Sequence, residues 1–228
     1  VNRVSIWDWK TLTRKKQFKY KESITSLAFS AKGTYLIVGT ATVDGAVFIR
    51  TSNWTTVDKI KTNTSIVNYI TTSDTEKTCV FYSPTGNLSY YNLANGQLKS
   101  KLAITQGLEQ CTLYNNNILF AGVRDNFIYL TNAYKGDSIS KVSAKSPIIL
   151  SNTKDNNLYY LENDGRGNYE LKMLESLENQ TVSNPRIVKT LKGPRGAAEI
   201  CVAVKNGNEI ILGGKNGNIY KIDADPSI

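Results

Sequence analysis

Turn residues recur along this chain at a nearly constant interval. Asp44-Gly45 precedes Ala46-Val47-Phe48-Ile49, and Thr85-Gly86-Asn87 precedes Leu88-Ser89-Tyr90-Tyr91. Asp125-Asn126 precedes Phe127-Ile128-Tyr129-Leu130, Gly165-Arg166-Gly167 precedes Tyr169-Glu170-Leu171, and Asn216-Gly217-Asn218 precedes Ile219-Tyr220-Lys221-Ile222. Positions 45, 86, 126, 167 and 217 mark these turns, at steps of 41, 40, 41 and 50 residues. Each turn opens onto alternating apolar residues, as in a strand with one buried face. A period of about 40–45 residues built from short strands is that of a four-stranded propeller blade. The longer last step holds the polar stretch from Asn179 to Asn184, which reads as a loop insertion.

The clearest unit shows all four strands. Ile24 to Ser30 is strand a and Ala31-Lys32-Gly33 its turn; Tyr35 to Gly39 is strand b, and Asp44-Gly45 turns into strand c, Val47 to Arg50. Thr56 to Lys61 is strand d. Gly, Asn and Asp accept the positive φ that tight turns demand, which is why they punctuate the strands. Alternation predicts that Leu27, Phe29, Leu36, Val38, Val47 and Ile49 are buried where blades pack sheet on sheet. Trp7, at a strand end, is expected in the inter-blade core, with Trp9 and Trp54 in exposed c–d turns. Only Leu171 to Leu177 could pass for a helix, and it is short.

This unit resembles the WD-repeat family. The resemblance rests on Ile24-Thr25-Ser26-Leu27-Ala28-Phe29-Ser30, Gly33, Leu36-Ile37-Val38-Gly39 and Asp44-Gly45-Ala46-Val47-Phe48-Ile49. Val4-Ser5-Ile6-Trp7-Asp8 resembles a family strand c ending in Trp-Asp. The Gly-His that usually opens a repeat is missing, and Trp-Asp occurs once. The family's His-to-Asp network between blades therefore cannot form, and Asp44, Asp125 and Asp164 must find other donors or stay hydrated. The resemblance implies an all-β fold, a β-propeller of four-stranded blades, and a role in holding other proteins.

The chain reads as one propeller domain over residues 1–228, with units at about 1–21 (partial), 22–62, 63–104, 105–144, 145–193 and 194–228 (partial). That is about five to six blades, with a larger ring left open. The ends supply strands c–d and a–b–c, one strand more than a single blade needs. Because neither end can stay solvated without exposing apolar surface and unpaired backbone, Val4 to Asp8 and Ile219 to Ile222 are expected to help close the ring.

Histidine is absent from all 228 residues. This removes Ser-His-Asp and Cys-His catalysis, His-ligated metals and His proton shuttles. The three cysteines, Cys79, Cys111 and Cys201, are far apart and read as reduced core thiols, which suggests an intracellular, cytoplasmic protein. No run approaches the ~18 apolar residues of a spanning helix, and no charged-then-apolar leader is visible at Val1. Gly213-Gly214-Lys215-Asn216-Gly217 lacks the full phosphate-loop spacing, and Asp164-Gly165-Arg166-Gly167 lacks the carboxylates of a calcium loop. No catalytic residue, cofactor or metal is expected.

The charge is informative by its placement. Of the 28 basic residues, 13 fall on predicted d strands, the outermost of each blade. Lysine on an edge strand blocks edge-to-edge pairing; the same cations could form a rim for an acidic protein, nucleic acid or anionic lipid. Arg14, Lys15, Lys16 and Lys19, beside Phe18 and Tyr20, make the densest run. The b–c and d–a loops, which share one face of a propeller, carry Arg124, Arg166, Arg195, Lys215 and Lys145, a candidate partner-binding face. The expected function is a non-catalytic scaffold for protein–protein interaction within a complex, its partner and oligomeric state left open. The alternatives are a nucleic-acid-associated basic propeller and a small-ligand propeller, the latter because Asn92 to Gln97 resembles the turn of quinoprotein repeats.

Overall fold

A computed structural model describes residues 2–8, 10–42, 45–61, 66–73, 75–114, 119–151, 157–163, 168–175, 184–192, 200–206, 209–214 and 218–223. Asp44, Asp164, Arg166, Arg195, Lys215, Trp9 and the stretch 179–183 lie outside the described residues. The described residues are all strand and turn, in two compact units, Val1–Gln106 and Gly107–Ile228.

In the first unit, β1 (Arg3–Trp7) and β2 (Arg14–Lys19) pair as a two-stranded sheet. Two four-stranded antiparallel sheets follow: β3 (Ile24–Phe29), β4 (Tyr35–Thr40), β5 (Ala46–Arg50) and β6 (Thr55–Ile60), then β7 (Tyr69–Thr72), β8 (Thr78–Ser83), β9 (Asn87–Asn92) and β10 (Leu98–Ala103). In the second unit, β11 (Glu109–Tyr114), β12 (Leu119–Arg124), β13 (Phe127–Asn132) and β14 (Ser138–Ser143) form another such sheet. β15 (Ile148–Ser151), β16 (Leu158–Asn163), β17 (Asn168–Leu174) and β18 (Arg186–Lys192) form the next. It continues through a parallel β15–β19 pairing into β19 (Ile200–Asn206), β20 (Glu209–Gly214) and β21 (Ile219–Asp223). The helix-like Leu171 to Leu177 is a strand over its described part, because its alternation points Leu171 and Met173 into a core.

In the sheets β3–β6, β7–β10 and β11–β14 consecutive strands are neighbours, because two- to five-residue turns cannot reach further. The middle strands are buried on both faces. On β4, Leu36 and Val38 meet Val47, Ile49 and Val4 of β1, whereas Ile37 on the opposite face meets Phe48, Val67, Ile70 and Phe81. The second unit repeats the scheme. Ile128 and Leu130 pack with Ile149, Leu158 and Tyr160, and Leu161, Leu171 and Met173 pack with Ile200, Ala203 and Leu212. Sheet-on-sheet burial of this kind is the main favourable term for the fold.

Two side chains expected in the core are outside it. Leu27 is 53% exposed and Phe29 60% exposed. They share a face with their cross-strand partners Val38 and Leu36, which are buried. Val4 of β1, with Ile6 and Phe18, packs on Leu36 and Val38 in a cluster that does not include Leu27 or Phe29. Trp7 is likewise 59% exposed, at a bulge between Ile6 and Trp7. Trp54, expected exposed, is half-buried against the Val4–Ile49 cluster.

Turn chemistry repeats with the sheets. Asp8, Asn92 and Asn132 each end a strand c, and each side chain accepts backbone N–H groups of the following turn. Four residues on from Asp8, Asn92 and Asn132, the chain turns left-handed at Leu12 (φ 52), Gly96 (φ 69) and Gly136 (φ 80). Trp54 (φ 54) holds the matching place between β5 and β6. The quinoprotein-like Asn92 to Gln97 is thus one copy of a recurring Asx turn. Without histidine, hydroxyl and carboxyl groups join adjacent sheets. Thr25 and Ser26 each donate to the Val67 carbonyl at 2.7 Å, Ala31 N–H donates to Thr72 Oγ1 at 2.8 Å, and Lys32 N–H donates to Glu76 Oε1 at 2.8 Å.

Candidate interaction surface

Strands β2, β6, β10, β14 and β18 each lie at the edge of their sheet. Their burial shows why cations collect there. Every residue of β6 but Ile60 is exposed, and most of β10 is exposed, so these strands bury little and can carry charge freely. On β2, Arg14, Lys15, Lys16 and Lys19 are all exposed. Lys15 is held by Asp8 at 2.7 Å. That bond and the turn N–H groups hold the Asp8 carboxyl well below the usual carboxylate range. Among the described residues no carboxylate pairs with Arg14, Lys16 or Lys19. Phe18 and Tyr20, which the sequence placed beside these cations, pack partly against the Val4–Ile49 cluster. The exposed aromatic beside the run is instead Trp7, the cross-strand partner of Arg14, at 59% exposure.

The turn between β12 and β13 brings together two of the loop cations. Asn126 accepts from Ala144 N–H at its carbonyl, at 2.9 Å, and from Ser146 N–H at its Oδ1, at 3.0 Å. The segment carrying Lys145 is thereby docked on the turn carrying Arg124. Positive φ at Asp125 (53°) and Asn126 (44°) makes this two-residue turn possible, and Asn and Asp tolerate it best after glycine. Asp125 takes Arg124 as its neighbour, with Nε to Oδ2 at 3.6 Å, and is otherwise hydrated at 86% exposure.

Sequence reasoning missed what surrounds Arg124. Its guanidinium lies over the Tyr129 ring, 4.9 Å from the centroid, and Nη2 donates to the Tyr129 hydroxyl at 3.1 Å. Lys141 Nζ sits 3.7 Å from the Phe127 centroid and 5.3 Å from that of Tyr129. The Phe127-x-Tyr129 alternation put both rings on one face of β13, and the register pairs Tyr129 with Lys141. That register was invisible in the sequence. Desolvation works to raise the Tyr129 pKa, but hydrogen bonds and charge from Arg124 and Lys141 outweigh it and lower it below the ordinary phenol value.

Other titratable groups are tied up. Lys172 sits between Glu162 (2.8 Å) and Glu170 (3.2 Å); burial opposes its charge, but the two carboxylates prevail and raise its pKa. A lysine held protonated in this way is a poor nucleophile or base. Burial pushes the Cys79 and Cys111 thiols up, which disfavours the reactive thiolate. An open groove of about 550 Å³ in the first unit is lined by Thr34, Tyr35, Glu76, Lys77, Asn92 and Lys99 among others. Its carboxylate, Glu76, already bonds the Lys32 N–H. Among the described residues no three His, Cys, Asp or Glu side chains gather in a metal-holding group, and no helix is long and apolar enough to cross a membrane.

A family model described as "N-terminal beta-propeller domain" matches residues 1–227. The chain is 24% identical over 161 residues to an uncharacterized protein of Treponema pallidum (strain Nichols), covering 71% of this chain and 26% of that protein. The chain thus spans about a quarter of that relative's length. Among solved structures it is similar to hydrazine synthase of Kuenenia stuttgartiensis, with a TM-score of 0.70 at 11% identity, over 98% of this chain and 71% of that one. At that identity the likeness speaks to fold alone.

Proposed function

The chain belongs to the N-terminal beta-propeller domain family, and from that premise we propose that it is a non-catalytic, WD-repeat-like scaffold that holds an acidic protein partner. The observation that carries this reading is the row of exposed cations on the edge strand β2, of which Arg14, Lys16 and Lys19 have no carboxylate partner among the described residues, set on a sheet that Val4, Ile6 and Phe18 anchor to a core. Rigid strands hold the backbone beneath such charges at fixed spacing, so complementary charge on a partner is met at the cost of ordering side chains alone. The absence of histidine and the ion pairs that hold Lys172 protonated support a binding role over a catalytic one.

The test is cross-linking of the intact chain in nuclease-treated extract of its native host, read by mass spectrometry. Lys15, Lys16 and Lys19 should be joined to an acidic protein. The yield at Lys15, which the variant retains, should fall several-fold in the triple variant Arg14→Glu, Lys16→Glu, Lys19→Glu, because each reversal converts attraction to repulsion. Equal yields from both chains overturn the reading. So does a chain that captures nucleic acid from untreated extract and no protein from treated extract.

A further inference from the structure

We infer that the tip of the β1–β2 hairpin seats on an anionic lipid bilayer, with Leu12 and Trp7 entering the headgroup region and the neighbouring cations meeting lipid phosphate. The first sign is strain at Leu12. It stands left-handed (φ 52), where the matching turns place Gly96 and Gly136. A leucine is strained there, because its Cβ crowds the backbone as no glycine does. Trp54, at the fourth such place, packs against the Val4–Ile49 cluster, which offsets its strain. Leu12 has no such offset and is 71% exposed. A strained residue that does nothing for the core points to a role outside it. Trp7, at the same end of the hairpin, is 59% exposed.

Two large apolar side chains therefore stand in water at one tip, with cations around them. Every residue from Lys10 to Lys16 is exposed. Residues 3–21 hold seven lysines and arginines against one acid, Asp8, which pairs with Lys15. Exposed Trp and Leu set among lysine and arginine suit a membrane interface, where the ring sits at headgroup level and the cations meet acidic lipid. The tip also meets a demand that a bilayer makes and a protein partner does not. Polar groups that enter lipid must be bonded within the chain, since lipid tails offer no partners. The Lys10 and Thr11 N–H groups both donate to Asp8 Oδ1 at 2.9 Å. The Thr11 and Thr13 hydroxyls bond each other at 2.8 Å, and the Asp8 N–H donates to the Thr13 carbonyl at 2.8 Å. These bonds fix the turn before it binds, so only side chains are ordered on contact.

This goes beyond the scaffold reading, and its test needs no protein partner, so its failure leaves the cross-linking of β2 standing. The intact chain is sedimented with vesicles of phosphatidylcholine alone and with vesicles of equimolar phosphatidylglycerol and phosphatidylcholine. Binding to the mixed vesicles only is expected. Leu12→Gly and Trp7→Ala should each weaken it about tenfold or more, in line with loss of one large apolar side chain from the bound state. Leu12→Gly should nonetheless melt no lower than the native chain, because glycine relieves the turn. Lys16→Gln should weaken binding about fivefold, one cation's attraction to an acidic surface, and Lys59→Gln on β6 should stay within about twofold. No binding to mixed vesicles, equal binding to both kinds, or a Leu12→Gly chain that binds like the native one overturns the site. So does a Leu12→Gly chain that melts lower, or a loss in Lys59→Gln as large as that in Lys16→Gln. If Leu12→Gly leaves vesicle binding intact and abolishes cross-linking of Lys15 to an acidic protein, the tip belongs to that protein and the lipid site falls.

Discussion

Gly33 and Gly86 separate two reasons for needing glycine. Both have positive φ, +72 and +83, which an L side chain adopts at a cost of roughly 1–2 kcal/mol. At Gly33 a new Cβ would meet nothing within 4 Å. Gly33→Ala should therefore cost backbone strain alone. Stiffening of the unfolded chain by alanine returns roughly 0.4–1 kcal/mol, so the net loss is about 0.5–1 kcal/mol. At Gly86 the Cβ would lie 2.6 Å from the Ile104 carbonyl oxygen and 2.8 Å from Gln106 Cγ. The Ile104 N–H is bonded to the Gly86 carbonyl, so that backbone cannot retreat without losing a hydrogen bond. Overpacking of this kind adds about 1–3 kcal/mol, for a total near 2–4 kcal/mol. Urea unfolding of both variants, followed by tryptophan fluorescence, gives the two values. A thermal melt should place Gly86→Ala several degrees below Gly33→Ala, at ~2–4 °C per kcal/mol for a chain of this length. Equal losses, or a larger loss at Gly33, would refute the placement of the Gly86 turn against Ile104.

Leu36→Ala should cost ~2–5 kcal/mol, since Leu36 is 4% exposed in a packed cluster, whereas Leu27→Ala on the same face should stay within about 0.5 kcal/mol; urea midpoints compare them directly. Asn132→Ala removes the acceptor for Tyr134 and Lys135 N–H and should cost about 1 kcal/mol in the same assay, by analogy with a lost cap. Glu76 gives a pH prediction. Burial works to raise its pKa, but hydrogen bonds from Ser30, Thr34 and the Lys32 N–H prevail and lower it. A depressed folded pKa means the stabilisation is present above the unfolded glutamate value near 4.3 and fades as pH falls through the folded value. The stability gap between the native chain and Glu76→Gln should therefore be widest near neutral pH and shrink in acid. A gap that grows in acid would contradict the assignment.

How much of this was legible depended on whether a residue's environment is local. The strands and turns were readable because alternation and left-handed turn residues act over a few positions. Ile24 to Phe29, Tyr35 to Thr40, Ala46 to Arg50 and Thr55 to Ile60 lie within a residue or two of where the pattern placed them. The recurrence of Leu12, Trp54, Gly96 and Gly136 was harder to see, because two of the four positions hold bulky residues and only the backbone reveals their shared φ. Lys145 was readable as a loop cation, since loops on a strand scaffold carry polar residues, whereas Arg124, expected in a loop, ends strand β12. Its aromatic surroundings were not readable, because pairing Tyr129 with Lys141 needs the register of β13 against β14. Leu27 and Phe29 make the same point from the other side. Their alternation matches that of Leu36 and Val38, so by pattern alone all four belong in a core. A strand's own residues determine which face is apolar; what lies across that face, ten ångströms away on another sheet, determines whether it is buried. At Leu36 and Val38 the residues of the β1–β2 pair lie across it, whereas Leu27 and Phe29 are exposed and outside that cluster.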